Sequence, residues 1–281
     1  NGVVFKTSGD TEVLLRGYVF WGENIVSKLN GMFAFVIYDR KKNTLFCSRD
    51  RLGVKPFYYS WCDGKFEICS QLSPISEGKV INDKAISMYL DCRYIPSPYS
   101  VYRDVFKLSP GHNLLIDLEE NTHEISKYWD LSKVKEADLS FEEAKSKLHT
   151  LIKDSTRIRL NSDVPFGSFL SGGVDSALVS SIAQVISDEQ INTFTVGFED
   201  SNYDESNIAK KFSELIGSKQ TVIDCKPKDL LQLLPELVKV YDEPFGDSSA
   251  LPSLLLNRLA KNHVTVALSG DGGDESFLGY N

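Results

Sequence analysis

The chain lacks any apolar run near the ~20 residues that a bilayer span needs, and it opens without the basic-then-apolar pattern of a secretory signal. A soluble protein is expected. Its five cysteines, Cys47, Cys62, Cys69, Cys92 and Cys225, are scattered, odd in number and free of any Cys-x-x-Cys pair. That argues against both a zinc site and a disulfide framework, and it fits a reducing cytosol. An excess of positive charge is also missing. With a formal net charge of −8 there is no bulk electrostatic reason to bind nucleic acid, so neither nucleic acid nor a membrane is expected as a partner. Two familiar phosphate-binding patterns are absent as well: no Gly-x-x-x-x-Gly-Lys-Ser/Thr occurs, and no Gly-x-Gly-x-x-Gly follows a strand. Internal repeats and low-complexity stretches are not apparent. What remains is 281 residues, 42% of them hydrophobic, enough for a sizeable core and two domains.

The most informative stretch is Val164–Ser176, in which a short apolar strand runs into Ser171-Gly172-Gly173-Val174-Asp175-Ser176 and then an apolar helix. Glycines at such a turn let backbone N–H groups and the positive end of a helix dipole approach an oxyanion. The hydroxyls of Ser171 and Ser176 can add hydrogen bonds. A carboxylate at Asp175, beside a phosphate, makes sense chiefly with a divalent cation between them. A nucleoside triphosphate with magnesium follows, although the same residues would also serve a plain strand-to-helix turn with Ser as its cap. The stretch resembles the pyrophosphate loop of the ATP pyrophosphatases.

In chain order, residues 11–29 are predicted as an amphipathic helix. Met32–Tyr38 and Thr44–Ser48 read as antiparallel neighbours, and Asp63-Gly64 as the turn of a second hairpin between Phe57–Trp61 and Lys65–Ser70. Asn82 is expected to cap a helix from Asp83 to Cys92, with Phe106–Leu108 and Asn113–Ile116 as further strands. The charged stretch 131–139 lacks a hydrophobic period and is taken as a linker between domains at 1–130 and 140–281. Ser140-Phe141-Glu142-Glu143 then has the form of a capping box. Beyond the glycine loop, helices 174–187, 204–216, 227–240 and 249–261 alternate with strands 191–198, 219–224 and 263–268. This alternation predicts a parallel sheet covered on both faces. Ligands on such sheets bind beyond the carboxyl ends of strands, which gathers the residues after Leu170, Val196 and Leu268 around one crevice.

Directly after that last strand comes Ser269-Gly270-Asp271-Gly272-Gly273-Asp274-Glu275. Glycines again follow a strand, and the three carboxylates would repel one another unless a cation offsets them. Asp175 and Asp274 are therefore candidate Mg²⁺ ligands bridging ATP phosphates, with Ser269 and Gly270 meeting the nucleotide.

Taken together, Thr11-Glu12-Val13, Leu29–Phe35, Arg49–Tyr59, both glycine loops, and Asp242-Glu243-Pro244 followed by Asp247–Pro252 resemble the glutamine-dependent asparagine synthetases of the bacterial B type. The likeness spans essentially the whole chain. It implies an α/β protein in which an N-terminal-nucleophile (Ntn-hydrolase-like) glutaminase of stacked antiparallel sheets, here partial, precedes a doubly wound parallel-sheet ATP-pyrophosphatase domain of the adenine nucleotide alpha hydrolase-like type. In that family ammonia from glutamine converts β-aspartyl-AMP, made from aspartate and ATP, into asparagine, with AMP and pyrophosphate released. The resemblance places ATP contacts at Leu170, Ser171, Gly172, Gly173, Asp175, Ser176, Val196, Ser269 and Gly270. Asp271 falls at the position tied to adenylate formation, where relatives often carry Glu, and Asp10 falls at the carboxylate that holds the glutamine α-amino group. Asp10 taken alone would read as a helix cap, and Arg51 and Lys55 as surface charges. A homodimer is compatible with this reading.

Departures are equally specific. The family's glutaminase uses an N-terminal cysteine whose own α-amino group serves as base, whereas this sequence begins Asn1-Gly2-Val3 and has no cysteine before Cys47. The sequence ends at Tyr280-Asn281, short of a later lysine that assists adenylation in relatives. An internal fragment is the expectation. Two other classes stay open: an adenylating synthetase for another carboxylate, β-lactam synthetase-like or acting on surface polysaccharide, and a noncatalytic nucleotide-binding module.

Overall fold

The computed structural model describes residues 4–62, 64–160, 164–200, 202 and 204–279, and it divides into two compact units. The first comprises Asn1–Glu136 and Tyr241–Gly246, the second Ala137–Val240 and Asp247–Asn281.

In the first unit α1 (Asp10–Trp21) is followed by a 3-10 segment, Gly22–Lys28. The single helix expected over 11–29 is thus broken at Gly22, whose φ of 57° does not continue an α-helix. Its start is fixed by Glu12, which accepts hydrogen bonds from the backbone N–H of Lys6 and Thr7 and from the Thr7 hydroxyl. Gly9, not Asp10, holds the N-cap position; Asp10 is the first helical residue.

The strands β1 (Ala34–Asp39) and β2 (Thr44–Arg49) pair antiparallel as expected, and β3 (Tyr58–Cys62) pairs with β4 (Lys65–Cys69). Of the Asp63-Gly64 turn, Asp63 lies outside the described residues; Gly64 has the positive φ, 71°, that the turn requires. Next come α2 (Asp83–Cys92), β5 (Val105–Lys107), β6 (His112–Asp117) and β7 (Thr122–Lys127). Asn82 is at the N-cap of α2 but makes no capping side-chain bond. No sequence signal marked β7, because all six of its residues are exposed and it has no apolar face.

The sheet β1-β2-β6-β7 stacks on the sheet β4-β3-β5. Alternation along the strands assigns the faces. Ile37 and Phe46 turn outward to Tyr18, Ile25 and Val26, while Cys47, Leu114 and Ile116 turn inward to Phe57, Tyr59 and Leu108. The far face of the smaller sheet packs through Val105 and Tyr58 onto Leu72, Ile75, Ala85 and Ile95.

Tyr241–Gly246 belongs to this unit through specific bonds, which a continuous second domain at 140–281 does not provide for. The Asp242 carboxylate accepts from the amides of Leu72 and Ser73 at 2.7 and 3.3 Å, Gly246 N–H donates to the Arg93 carbonyl at 2.7 Å, and Glu243 forms an ion pair with Lys107. Both side chains of that pair are largely buried, and Glu243 Oε2 has no hydrogen-bond partner. Burial pushes Tyr58 upward, with the neighbouring Glu243 and Asp242 charges adding to the effect.

The second unit opens with α3 (Phe141–Leu160), whose start carries the expected capping box: the Ser140 N–H and hydroxyl both donate to Glu143 Oε2, at 2.9 and 2.6 Å. The remaining elements are β8 (Phe166–Phe169), α4 (Val174–Ile186), β9 (Asn192–Phe198), α5 (Ser206–Ile216), β10 (Lys219–Cys225), α6 (Pro227–Val240), α7 (Ala250–Ala260), β11 (Val266–Leu268) and α8 (Gly273–Phe277). β11 is shorter than the expected 263–268 because His263 and Val264 N–H groups still bond back to the Ala260 carbonyl.

All pairings here are parallel, in the order β10-β9-β8-β11. Leu170 meets Ala177 of α4 and Ala209 of α5 on one face. Val196, Phe198 and Ile223 meet Leu233 of α6 and Leu255 of α7 on the other. The sheet is thus doubly wound, as its alternating sequence implied. Among the described residues no helix is long and apolar enough to cross a membrane.

Candidate active site

The strand order decides where a ligand would sit. From β8 the chain runs outward to β9 and β10, then returns to place β11 on the other side of β8, so the order reverses between β8 and β11. The crevice at the carboxyl ends of strands flanking such a switch is the general ligand site of these sheets. Phe166↔Val266 and Ser168↔Leu268 are in register, so the two glycine loops leave the sheet side by side.

They also touch. A Cβ on Gly270 would stand 2.7 Å from the Ser176 backbone nitrogen and 3.0 Å from the Asp175 Cβ, and a Cβ on Gly273 would collide with the Asp175 carboxylate. Glycine is required at Gly270, where the neighbour is backbone, whereas at Gly273 a side chain would have to displace the Asp175 carboxylate. The carboxylate of Asp175 therefore abuts the residue immediately before Asp274. Asp271 is exposed, and its Oδ2 accepts from the Ser269 hydroxyl at 2.9 Å.

The first loop is held by its own hydroxyls. Ser171 N–H donates to Ser176 Oγ at 3.1 Å, Gly173 N–H donates to Ser171 Oγ at 3.0 Å, and the two hydroxyls lie 2.8 Å apart. Gly172 N–H donates to Glu205 Oε2 at 3.0 Å. Beneath the loop Leu170 is 2% exposed; its N–H donates to the Phe194 carbonyl and its carbonyl accepts from Thr195 Oγ1. Val196, taken from the family pattern as a nucleotide contact, packs in β9 against the cluster of Ile223, Cys225, Leu233 and Leu255.

Thr195 and Glu205 escaped the sequence reading. The threonine had only its strand context as a signal, and Glu205 reads as an ordinary residue at the start of a helix. α5 is instead served by Asp204, which accepts from the Ser206 hydroxyl, the Ser206 N–H and the Phe198 N–H; these bonds hold its carboxyl below the usual range.

The chemistry of these donors suits Mg²⁺ with phosphate. That ion is commonly held by one or two carboxylates together with phosphate oxygens and water, not by an all-protein cage. Among the described residues no three His, Cys, Asp or Glu side chains gather into a cage, while Asp175 and Asp274 flank the meeting point of the loops.

In the first unit Asp10 is exposed at the head of α1, with its carboxylate 3.5 Å from the Thr11 hydroxyl. A feature the sequence reading passed over is Asp50. It is 2% exposed, and its two oxygens accept from the N–H groups of Phe33, Leu52, Val54 and Lys55. Arg49 spans the same turn, donating to the carbonyls of Lys55, Gly53 and Leu108. Arg51, read alone as a surface charge, donates to the Leu29 carbonyl at 2.7 Å.

Cys47 lies in the core between the two stacked sheets, fully buried, and burial pushes its thiol up to about 12. A thiol so placed is no nucleophile. Under native conditions a thiol reagent is expected to label the exposed Cys62 and Cys92 at least about 10²-fold faster than Cys47. Mass spectrometry of peptides after timed labelling reads this directly, and equal rates would show that the Cys47 thiol is accessible.

Comparison with known proteins agrees with both halves. A family profile described as glutamine amidotransferase domain matches residues 1–129, and one described as asparagine synthase matches residues 147–281. A Methanocaldococcus jannaschii protein carried under the name asparagine synthetase 2 (glutamine-hydrolysing) is 41% identical over 98% of this chain and 54% of its own length. Bacillus subtilis asparagine synthetases 1 and 3 are 34% and 32% identical, over 100% and 99% of this chain and 44% and 48% of theirs. The chain spans about half the length of the curated relatives it matches. The chain thus joins a segment that matches a glutamine amidotransferase domain to one that matches asparagine synthase, and along its length it is similar to glutamine-hydrolysing asparagine synthetases.

Proposed function

We propose that the protein containing this chain makes asparagine from aspartate, ATP and ammonia derived from glutamine. The observation that carries the reading is the contact between the two glycine loops at the reversal of the parallel sheet, where Gly270 and Gly273 admit Asp175 and the amino end of α4. Backbone N–H groups there suit the nucleotide phosphates. Asp175 and Asp274 would hold Mg²⁺, whose charge would offset that of the pyrophosphate leaving group. The aspartate side-chain carboxylate attacks the α-phosphate, giving β-aspartyl-AMP and pyrophosphate; ammonia then attacks the acyl carbon and AMP departs. Leu170, Ser171, Gly172, Gly173, Ser176, Val196, Ser269 and Gly270 are the proposed nucleotide contacts, Asp271 the residue assisting adenylation, and Asp10 the contact to the glutamine α-amino group. Soluble substrates and scattered free thiols suit a cytosolic enzyme.

With full-length protein, pyrophosphate release is expected to be fastest with aspartate among carboxylic acids. Release with another carboxylate and none with aspartate would shift the reading to a different adenylating synthetase; ATP binding without any release would reduce it to a nucleotide-binding module. Asp175→Asn and Asp274→Asn should each sharply lower turnover and raise the magnesium concentration needed for half-maximal rate. Unchanged magnesium dependence in both variants would remove these residues from the metal.

A further inference from the structure

We propose that Glu205 is an internal anion seated where a nucleotide phosphate binds, and that its carboxylate must leave Gly172 N–H when pyrophosphate or the ATP tail arrives. The inference rests on reading the first glycine loop as the phosphate loop. Three successive N–H groups of that loop, those of Ser171, Gly172 and Gly173, are the donors an oxyanion would use. In this structure two of them are satisfied by the loop's own hydroxyls, Ser176 Oγ and Ser171 Oγ, and the third by Glu205 Oε2 at 3.0 Å. Glu205 alone among these acceptors carries a charge, and it comes from 33 residues away, on a different helix.

Nothing in α5 requires it there. Asp204 already satisfies the start of that helix, and the Glu205 backbone carbonyl accepts from Ile208 and Ala209 as an ordinary N-cap carbonyl does. The side chain is exposed, so rotation about its own bonds can return the carboxylate to water. A glycine amide paired with a carboxylate is kept correctly aimed between turnovers, with no preorganised donor left open to other anions. Occupation by Glu205 also opposes retention of pyrophosphate, because the carboxylate competes for Gly172 and repels the departing anion. The residue thus sets nucleotide affinity without joining the chemistry.

The test is calorimetric titration of full-length protein with inorganic pyrophosphate at saturating magnesium, for wild type, Glu205→Gln and Glu205→Ala, each checked for an unchanged melting temperature. Removing the charge is expected to tighten pyrophosphate binding about 5- to 10-fold in both variants, with pyrophosphate becoming a correspondingly stronger product inhibitor. If Glu205 merely builds the loop, or ligates magnesium, Glu205→Ala weakens binding; equal or weaker binding in both variants overturns the proposal. Absence of pyrophosphate binding in wild type and variants alike overturns instead the assignment of the loop to phosphate, a result separable from a change in ratio.

Discussion

Glu243→Ala is expected to lower the stability of the first unit by about 3–5 kcal/mol, the usual cost of removing one partner from a buried ion pair. Lys107 and Glu243 are only 12% and 15% exposed, and Lys107 also donates to the Ile95 carbonyl at 2.7 Å. Without Glu243 the largely buried ammonium keeps the neutral Ile95 carbonyl as its acceptor. Burial already holds Lys107 below the ordinary lysine range, with the Glu243 charge opposing that shift. All three tryptophans, Trp21, Trp61 and Trp129, lie in the first unit, so urea unfolding followed by tryptophan fluorescence reads this unit alone. The double variant Lys107→Met/Glu243→Leu is expected to recover most of the loss, since two apolar side chains pay no desolvation of charge. A loss below about 1 kcal/mol in Glu243→Ala, the range of an exposed pair, would show that Tyr241–Gly246 is not pinned by it.

Gly270→Ala is expected to cut pyrophosphate release by full-length protein about 10²-fold, the cost associated with displacements near 1 Å of reacting groups. The added methyl would lie 2.7 Å from a backbone nitrogen, that of Ser176, which cannot rotate aside as a side chain can. One loop must shift, and Asp175 and Asp271 shift with it. Hydrogen exchange at the β8 and β11 amides should remain protected, because the two strands still pair from Phe166↔Val266 to Ser168↔Leu268. Loss of that protection would attribute the lost rate to unfolding, and undiminished turnover would show that the loops need not approach so closely.

The amino-acid sequence by itself determined what depends on neighbours in the chain. Helix and strand periods, the Ser140–Glu143 capping box, the glycine runs at strand ends and the position of the charged stretch 131–139 rest on side chains a few residues apart, where spacing and turn chemistry decide the conformation. Both glycine loops were legible for this reason, and so was the alternation that implies a doubly wound sheet. The family pattern supplied Asp10, Val196 and Asp271, which have no distinguishing local chemistry. β7 was not legible, since an edge strand with every residue exposed has no apolar face to give a period.

The strand-end rule gathered the residues after Leu170, Val196 and Leu268, but only the tertiary structure decided which of those ends are adjacent, because the order β10-β9-β8-β11 is a choice among crossovers that no local signal encodes. That choice brings Gly270 against Ser176 and makes one crevice of two loops. It likewise takes Tyr241–Gly246 back to the first unit, where Asp242 meets an amide 170 residues earlier in sequence, and sets Glu205 on Gly172. Such contacts form because burial makes an unpaired amide or carboxylate costly, so each finds whichever partner the packed chain brings near it. Separation along the chain then says nothing about who that partner is.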